Sequence, residues 1–586
     1  MEQKPLPELL APAGSKEAAI AAVRAGADAV YLGGTMLNAR MNAKNFGDDE
    51  MREIIAFCHR HGVRVYVTLN ISVYDRELNG ALRYVDFLYV SGVDALIVAD
   101  LGLASLIATF FPDLPLHAST QASGHSVACA QRLKQLGFCR MVCARELNKE
   151  ETDRLCKQSP IETEQFIHGA LCVSQSGQCL ASAMIGGRSG NRGECAQPCR
   201  MQYNGKYPLS LKDSALAKHI PQLIQSGVTS LKIEGRMKSP AYVFGVVSIY
   251  RRLLDGRRAA TDDEMNRLAE LFSRGGFTDG YYTSRMDGEM NGVRSASDKL
   301  ATAKATSMQS EAYGNWHKLT EKIDLSRTEI TVPARMSNPQ ASYAPKKLNG
   351  SSKKSKRPVF TARFASPGQI VADGALSIIY LPLDKFQRGC GANGVVLPPT
   401  LFDRDIERAE RLMEEARENG AEHALVCNIG HIDLARRHGF ILHGDYRLNI
   451  FNSVAAELYI NEGMRDVMLA PELTLPQIRD ISAPKSAVVY GRIPLMLLTK
   501  PLNESSLTDR TGAVFPVMRE FGYDLLLNSV PFYMADKQKE LDEYGVRGRH
   551  LIFTVESRRE CAEIIRSYTD GQATALPRTP VRRIKK

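Results

Sequence analysis

The chain has 586 residues, too many for one ordinary domain, and its 44% hydrophobic and 24% charged content is ordinary for a soluble globular protein with a sizeable core. The formal net charge of +10 mildly favours a polyanionic partner such as RNA. No apolar run approaches the ~20 residues a membrane span needs. The opening MEQKPLPELLAPAG has no charged-then-apolar signal pattern, so a cytoplasmic protein with reduced cysteines is expected.

The first 250 or so residues alternate short apolar runs with amphipathic stretches. Strands are expected at Glu8–Ala11, Ala29–Leu32, Arg64–Leu69, Ala95–Ala99, Leu116–Ala118, Arg140–Cys143, Gln165–His168 and Ser230–Glu234. Glycines at 26, 62, 92, 137 and 227 each precede a strand, where a helix needs its C-terminal cap. Eight strands alternating with helices predict an α/β fold with an N-terminal TIM-like (β/α)8 barrel, a doubly wound sheet being the alternative. Barrel chemistry sits at the C-terminal strand ends. The candidates there are Asn38, Arg40, Asn45, Asn70, Asp100, His117, Arg145, Glu146, His168, Glu234 and Arg236. Of these, Asn38, Arg40, Asn70 and His168 are expected to bind substrate, and His117 and Glu146 to move protons. Arg40, Arg145 and Arg236 are expected to clamp carboxylates, because a guanidinium fork matches a carboxylate. Each has a plainer alternative: Glu234 with Arg236 as a barrel-closing salt bridge, Arg145–Glu146 as a helix start, His168 as a core hydrogen-bonder.

After the seventh strand, Cys172, Cys179, Cys195 and Cys199 follow the pattern Cys-x6-Cys-x15-Cys-x3-Cys. Four of the chain's 12 cysteines fall in this one loop. Four thiolates can ligate an iron–sulfur cluster or close a tetrahedral zinc site. The six-residue spacer and Gly-rich loop fit a larger cofactor better than a zinc knuckle, and spacing alone leaves both, and no metal, open. Cys58, Cys129, Cys139, Cys143 and Cys156 read as buried small hydrophobes.

Residues 236–292 carry helical periodicity at Ser239–Asp255 and Asp262–Ser273 and complete a first unit, 1–292. Residues 293–357 read as an irregular, basic linker, with Ser337–Arg357 polar and lysine-rich. Strand–helix alternation then resumes over 358–570, with strands expected at Ser377–Leu381, Ala424–Asn428, Phe440–His443, Asp466–Leu469, Ser486–Tyr490, Asp524–Asn528 and His550–Thr554. LHASTQ at Leu116–Gln121 and LHGDYR at Leu442–Arg447 are followed at equal offsets by a glycine and then by Glu146 and Glu472. That register predicts a second, divergent βα-repeat unit, barrel-like and without the cysteine cluster, in which His443 and Glu472 are structural relics. Residues 571–586 read as a disordered basic tail.

LAPAGS at Leu10–Ser15, GADAVYLGG at Gly26–Gly34, LHASTQ, ARELN at Ala144–Asn148, the run Glu164–Cys179 and LKIEGRMKSP at Leu231–Pro240 resemble the U32 peptidase family, also called collagenase-like proteases. The signature matches at Glu164, Phe166, Gly169, Ala170, Leu171, Cys172, Gly177, Cys179 and Ser182, with Ala181 where a larger aliphatic is usual. No HExxH or GxSxG motif is present. The resemblance implies an oxygen-independent RNA hydroxylase acting on rRNA or tRNA pyrimidines. It also implies a 4Fe–4S cluster on Cys172, Cys179, Cys195 and Cys199, with prephenate as oxygen donor. The alternatives are a U32 peptidase with Cys172 or Cys179 as nucleophile, and a non-catalytic cluster-binding partner in a hydroxylation complex.

Overall fold

A computed structural model describes residues 4–40, 45–312, 327–345, 357–371 and 374–569. The lysine-rich end of the expected linker, 346–356, and the expected basic tail, 571–586, lie outside the described residues.

The first unit is a closed barrel of eight parallel strands. In chain order they are β1 (Glu8–Pro12), β2 (Ala29–Leu32), β3 (Arg64–Leu69), β4 (Ala95–Val98), β5 (Leu116–Ala118), β6 (Phe138–Val142), β7 (Glu162–Gly169) and, after a short antiparallel strand β8 (Asp213–Ala215), β9 (Ser230–Ile233). Strand β9 closes the ring by pairing with both β1 and β7. All eight expected strands are present. A two-residue strand β10 (Phe277–Thr278) extends β8 outside the ring. Helices Pro240–Asp255 and Asp262–Leu271 form as the periodicity predicts, capped by Ser239 and Thr261.

The barrel interior mixes apolar layers with an ion-pair ladder. Leu10, Tyr31, Tyr66 and Ile97 pack at its centre. Beside them Arg140 pairs with Glu8 at 2.7 Å and Glu164 at 3.3 Å, and Glu164 accepts from Lys232 at 2.6 Å. A buried charge is tolerated only when paired, and this ladder pairs each one.

The second unit is also a closed parallel eight-stranded barrel. Its strands are β11 (Val359–Phe364), β12 (Leu376–Pro382), β13 (Gly394–Val396), β14 (His423–Val426), β15 (Ile441–Gly444), β16 (Val467–Met468), β17 (Lys485–Gly491) and, last in the chain, β23 (Gly548–Phe553). The repeat is real in three dimensions. His117 and His443 lie on the fifth strand of their barrels, and Glu146 and Glu472 each follow the sixth. Gly169 and Gly491 each end the seventh strand with positive φ, +103° and +138°. A Cβ there would meet the carbonyl oxygen of Glu234 at 2.6 Å and of Ile552 at 2.3 Å, so both copies need glycine where the seventh strand crosses the eighth. Between β17 and β23 lie β18 (Pro494–Leu498), β19 (Ser506–Thr508), β20 (Val514–Glu520) and β21 (Tyr523–Leu527), a four-stranded antiparallel sheet, and β22 (Phe532–Tyr533) on the edge of β17. The run expected as a barrel strand at Asp524–Asn528 therefore belongs to this inserted sheet.

Two departures concern the expected linker. Ala296–Ala312 is a helix. Residues 327–345 are an extended strap on the first barrel: Ile330 N donates to His59 O at 2.9 Å, Arg335 to Val93 O at 2.7 Å and Tyr343 N to Asn79 at 2.7 Å. It bonds to the first barrel along one side, while most of its residues stay exposed to solvent.

The barrels meet mouth to mouth. The helix after the fifth strand of each packs on the segment after the fourth strand of the other: Val127–Gln135 on Ile429–His431, and Ser453–Asn461 on Leu101–Phe110. Asn452, fully buried, caps the second of these helices and donates to Val73 O at 2.8 Å and to the Asp100 carboxylate at 2.9 Å. Asn452→Ala removes a cap and leaves a buried carboxylate short of a donor. We expect a loss of about 2–4 kcal/mol, measured as a fall in the denaturant midpoint; a change below ~0.5 kcal/mol would show that the interface does not depend on this contact.

Candidate functional site

A cavity of about 1160 Å³, counting its open mouth, lies at the C-terminal ends of the first barrel's strands. All four loop cysteines line it. So do Arg40, Asn70, Arg145, Lys232, Glu234 and Arg236. Lys232, Glu234 and Arg236 come from β9 and its extension, where alternate side chains point inward.

The second barrel shapes the cysteine loop. Strand β18 runs beside it: Gln175 N donates to Leu497 O at 2.9 Å and Leu180 N to Leu495 O at 2.8 Å. Leu180 itself packs among Tyr380, Val396, Leu425, Tyr446 and Val488 inside the second barrel. Glu472, fully buried, accepts from Ser189 at 2.7 Å and Asn191 at 3.0 Å, fixing the turn that leads to Cys195. Arg192 grips Glu77 with two hydrogen bonds, at 2.7 and 2.8 Å, and covers the Tyr74 ring. From above, Met496 reaches the cavity.

Burial pushes the Cys172, Cys179 and Cys199 thiols up, the last to about 12, and the nearby cysteines add to the rise. Three such groups ionise together only against added positive charge, which a bound metal or cluster supplies. Among the described residues no group of three or more Cys, His, Asp or Glu side chains is arranged to hold a metal ion; what the loop offers thiolates is hydrogen-bond support. Backbone N–H groups of Ser174 and Ala181 serve Cys172 and Cys179, and Gln197 N donates to Cys195 Sγ at 3.3 Å. Arg145 stands beside Cys172.

The cavity's cations outnumber its carboxylates. Arg40 pairs with Glu234 at 3.0 Å. Burial alone would raise Glu234, but Arg40, Arg145 and Arg236 hold it at about 2. Burial lowers Arg236 to about 10; it is fixed by Thr68 and Asn38, each at 2.6 Å, and its buried Nε has no partner. Arg145 bonds to Ser176 at 3.1 Å and covers the Phe166 ring. Among the described residues it has no carboxylate partner.

The expected residues divide. Arg40, Asn70, Arg145, Glu234, Arg236 and the cysteines converge. Asn38 is fully buried and holds Arg236 rather than facing the cavity. His117 lies inside the barrel, edge-on to Tyr66, and burial drives its pKa well below 6.5. His168 packs against Tyr250 and Phe277 as a core residue, and burial lowers it to about 3. Neither histidine is placed to carry protons at the mouth. Glu146 does not line the cavity; it is buried behind it, near Cys172 and Tyr281, where burial raises it to about 7. It starts no helix; the next one begins at Lys149. Cys139 is exposed rather than a buried hydrophobe. The sequence reading missed Lys232, a lysine on the inward register of an otherwise apolar strand, and Met496, supplied by the second unit.

Fold and site together define a double-barrel protein with a cysteine-lined cavity at the mouth of its first barrel. The chain belongs to Peptidase family U32, whose profile matches residues 14–292 and 393–513. It is 43% identical over 259 residues to a 23S rRNA 5-hydroxycytidine synthase of Escherichia coli, 42% of this chain and 39% of that protein. Identity to tRNA hydroxylation protein P1 of Bacillus subtilis is 39% over 266 residues, 42% of this chain and 63% of that one. The matches thus span less than two thirds of either relative. A collagenase of Porphyromonas gingivalis is 34% identical over 313 residues, 48% of this chain and 75% of that protein. No helix among the described residues is long and apolar enough to cross a membrane.

Glu234 gives a pH prediction. Its folded pKa, near 2, lies below the ~4.3 of a free glutamate, so its stabilisation is present above about pH 4.5 and fades as pH falls. Glu234→Gln should be less stable than the native chain by on the order of 2 kcal/mol near neutrality, the gap narrowing toward about pH 3. Denaturant midpoints across that range test it, and a gap independent of pH would contradict it.

Proposed function

We propose that the protein is an RNA base hydroxylase, adding a hydroxyl to a pyrimidine of rRNA or tRNA without molecular oxygen. The observation that carries this reading is the convergence of four cysteines and four cations on one cavity. The similarity to proteins named for rRNA and tRNA hydroxylation supports it. In this reading Cys172, Cys179, Cys195 and Cys199 hold a 4Fe–4S cluster, which supplies electron transfer or a Lewis-acidic iron. Prephenate is the proposed oxygen donor. Arg145, free of a carboxylate partner among the described residues, and Arg236, with its unpartnered Nε, are the groups that would bind the donor's carboxylates. Arg40 is already engaged by Glu234 and sets the edge of that pocket. Glu146, near neutral pKa and next to Cys172, would hold or release a proton. The target base reaches the cavity unpaired or flipped from its stack. Met496 and the β18 sheet limit water at the reacting centre.

The similarity to a collagenase favours proteolysis as a second reading. A thiol nucleophile needs an adjacent base. No histidine is among the residues lining the cavity, so the Cys–His pairing of thiol proteases is missing there and, among the described residues, Glu146 is the one group near Cys172 that could act as its base.

Nucleoside mass spectrometry of rRNA and tRNA from a deletion strain tests the proposal. We expect loss of one 5-hydroxypyrimidine, restored by the native gene but not by Cys172→Ser, and restored in vitro by purified protein. Unchanged nucleosides, together with Cys172-dependent cleavage of casein or gelatin, would overturn it in favour of the peptidase.

A further inference from the structure

Beside the cavity, four cations crowd one aromatic ring and one carboxylate. Lys238 Nζ lies 2.7 Å from the Phe272 ring centroid, the Arg294 guanidinium 4.3 Å and that of Arg274 5.5 Å. Arg274 pairs with Asp213, which is buried on β8. Arg200, next to the cavity residue Cys199, faces the same carboxylate and is fixed by Ser210 at 3.0 Å and by the carbonyls of Leu211 at 2.6 Å and Leu171 at 3.0 Å.

The acids nearby are already committed. Asp213 serves Arg274, and Asp298 accepts Ser295 N at 2.7 Å and Gly275 N at 3.3 Å. Glu234, on the cavity side, serves Arg40. Lys238 and Arg294 thus have no carboxylate partner among the described residues, and the buried Nε of Arg294 has no hydrogen-bond partner. One ring cannot offset three converging basic groups, because a cation–π contact contributes only about 0.5–2 kcal/mol; burial, with Arg274 and Arg294 alongside, holds Lys238 down at about 7, and an arriving anion would restore its full charge. The arrangement calls for an external anion. Its flanks are apolar and open: Met237 is 58% and Val293 44% exposed. Cations that touch phosphates, next to apolar side chains that touch sugars or bases, are the footprint of a nucleic-acid strand.

We propose that Lys238, Arg274 and Arg294, with Arg200 behind them, form a phosphodiester-binding rim that holds the RNA strand next to the nucleotide entering the cavity. This rests on the RNA reading given above. Arg274 and Arg200 are tied into the protein and shape the rim; Lys238 and Arg294 make the contacts.

Fluorescence anisotropy of the full chain with a labelled single-stranded RNA of mixed sequence tests the rim. The variants are Lys238→Ala with Arg294→Ala, the charge-keeping Arg294→Lys, and Arg559→Ala on an outer helix of the second barrel. The double variant should bind at least about tenfold more weakly and lower the slope of log K against log salt by about 1.4, two phosphate contacts at ~0.7 each. Arg294→Lys and Arg559→Ala should bind as the native chain does, and all should melt alike. If the double variant binds RNA normally, or Arg559→Ala weakens binding equally, the rim is overturned while the hydroxylase reading stands. If the native chain binds no RNA even at low salt, or binds a polyglutamate peptide through these residues instead, both are overturned.

Discussion

The loop that carries the four cysteines has little regular structure, so its shape is imposed by what grips it. That grip comes from the second barrel. Strand β18 bonds to the loop backbone at Gln175 and Leu180, the buried Glu472 carboxylate takes Ser189 and Asn191, and Leu180 is anchored in the second barrel's interior. A site that must hold several sulfurs in one arrangement needs such outside support, because a free loop of this length would lose the arrangement to chain entropy. The second unit supplies rigidity, and Glu472, its counterpart of Glu146, is the fastening.

The two barrels share a fold and differ in what fills their mouths. In the first, charged residues on β9 and after β2 and β6 surround an open cavity, and the Arg140–Glu164–Lys232 ladder lets charge descend into the interior without an unpaired ion. In the second, Leu180 plugs the mouth among Ile378, Tyr380 and Val488, above a buried Arg363–Glu520 pair and the histidines His423, His443 and His550. The insertion after the seventh strand marks the division of labour. One copy carries the cysteines there, and the other carries the antiparallel sheet that covers them.

Much of this was legible in the sequence. Alternating apolar runs gave all eight strands of the first barrel, and the offset between His117 and Glu146, repeated between His443 and Glu472, disclosed the second. The strand Gly394–Val396 was missed because three residues opening with glycine carry no periodic signal. The run ending at Asn528 was placed in the barrel because a buried apolar strand reads the same whether its neighbours run parallel or antiparallel. The strap 327–345 fell inside the expected irregular linker because its hydrogen bonds to the first barrel leave no hydrophobic trace in the sequence. At the site, the cysteines and the Glu234–Arg236 pair were visible as types and spacings. His117 and His168 misled because a strand end uncertain by one or two residues decides between the mouth and the core, and Met496 was invisible because only tertiary structure brings it there.

The measurement that bears most directly on the clamped cysteine site is iron and acid-labile sulfide per chain after anaerobic purification, with a visible spectrum. A cluster-bearing site gives about four irons per chain and a broad visible absorption, both lost when Cys172 or Cys179 is replaced and both reduced when Glu472→Ala loosens the loop. Stoichiometric zinc without colour, or four cysteines that alkylate freely with no metal bound, would contradict the cluster and with it the proposed hydroxylation chemistry.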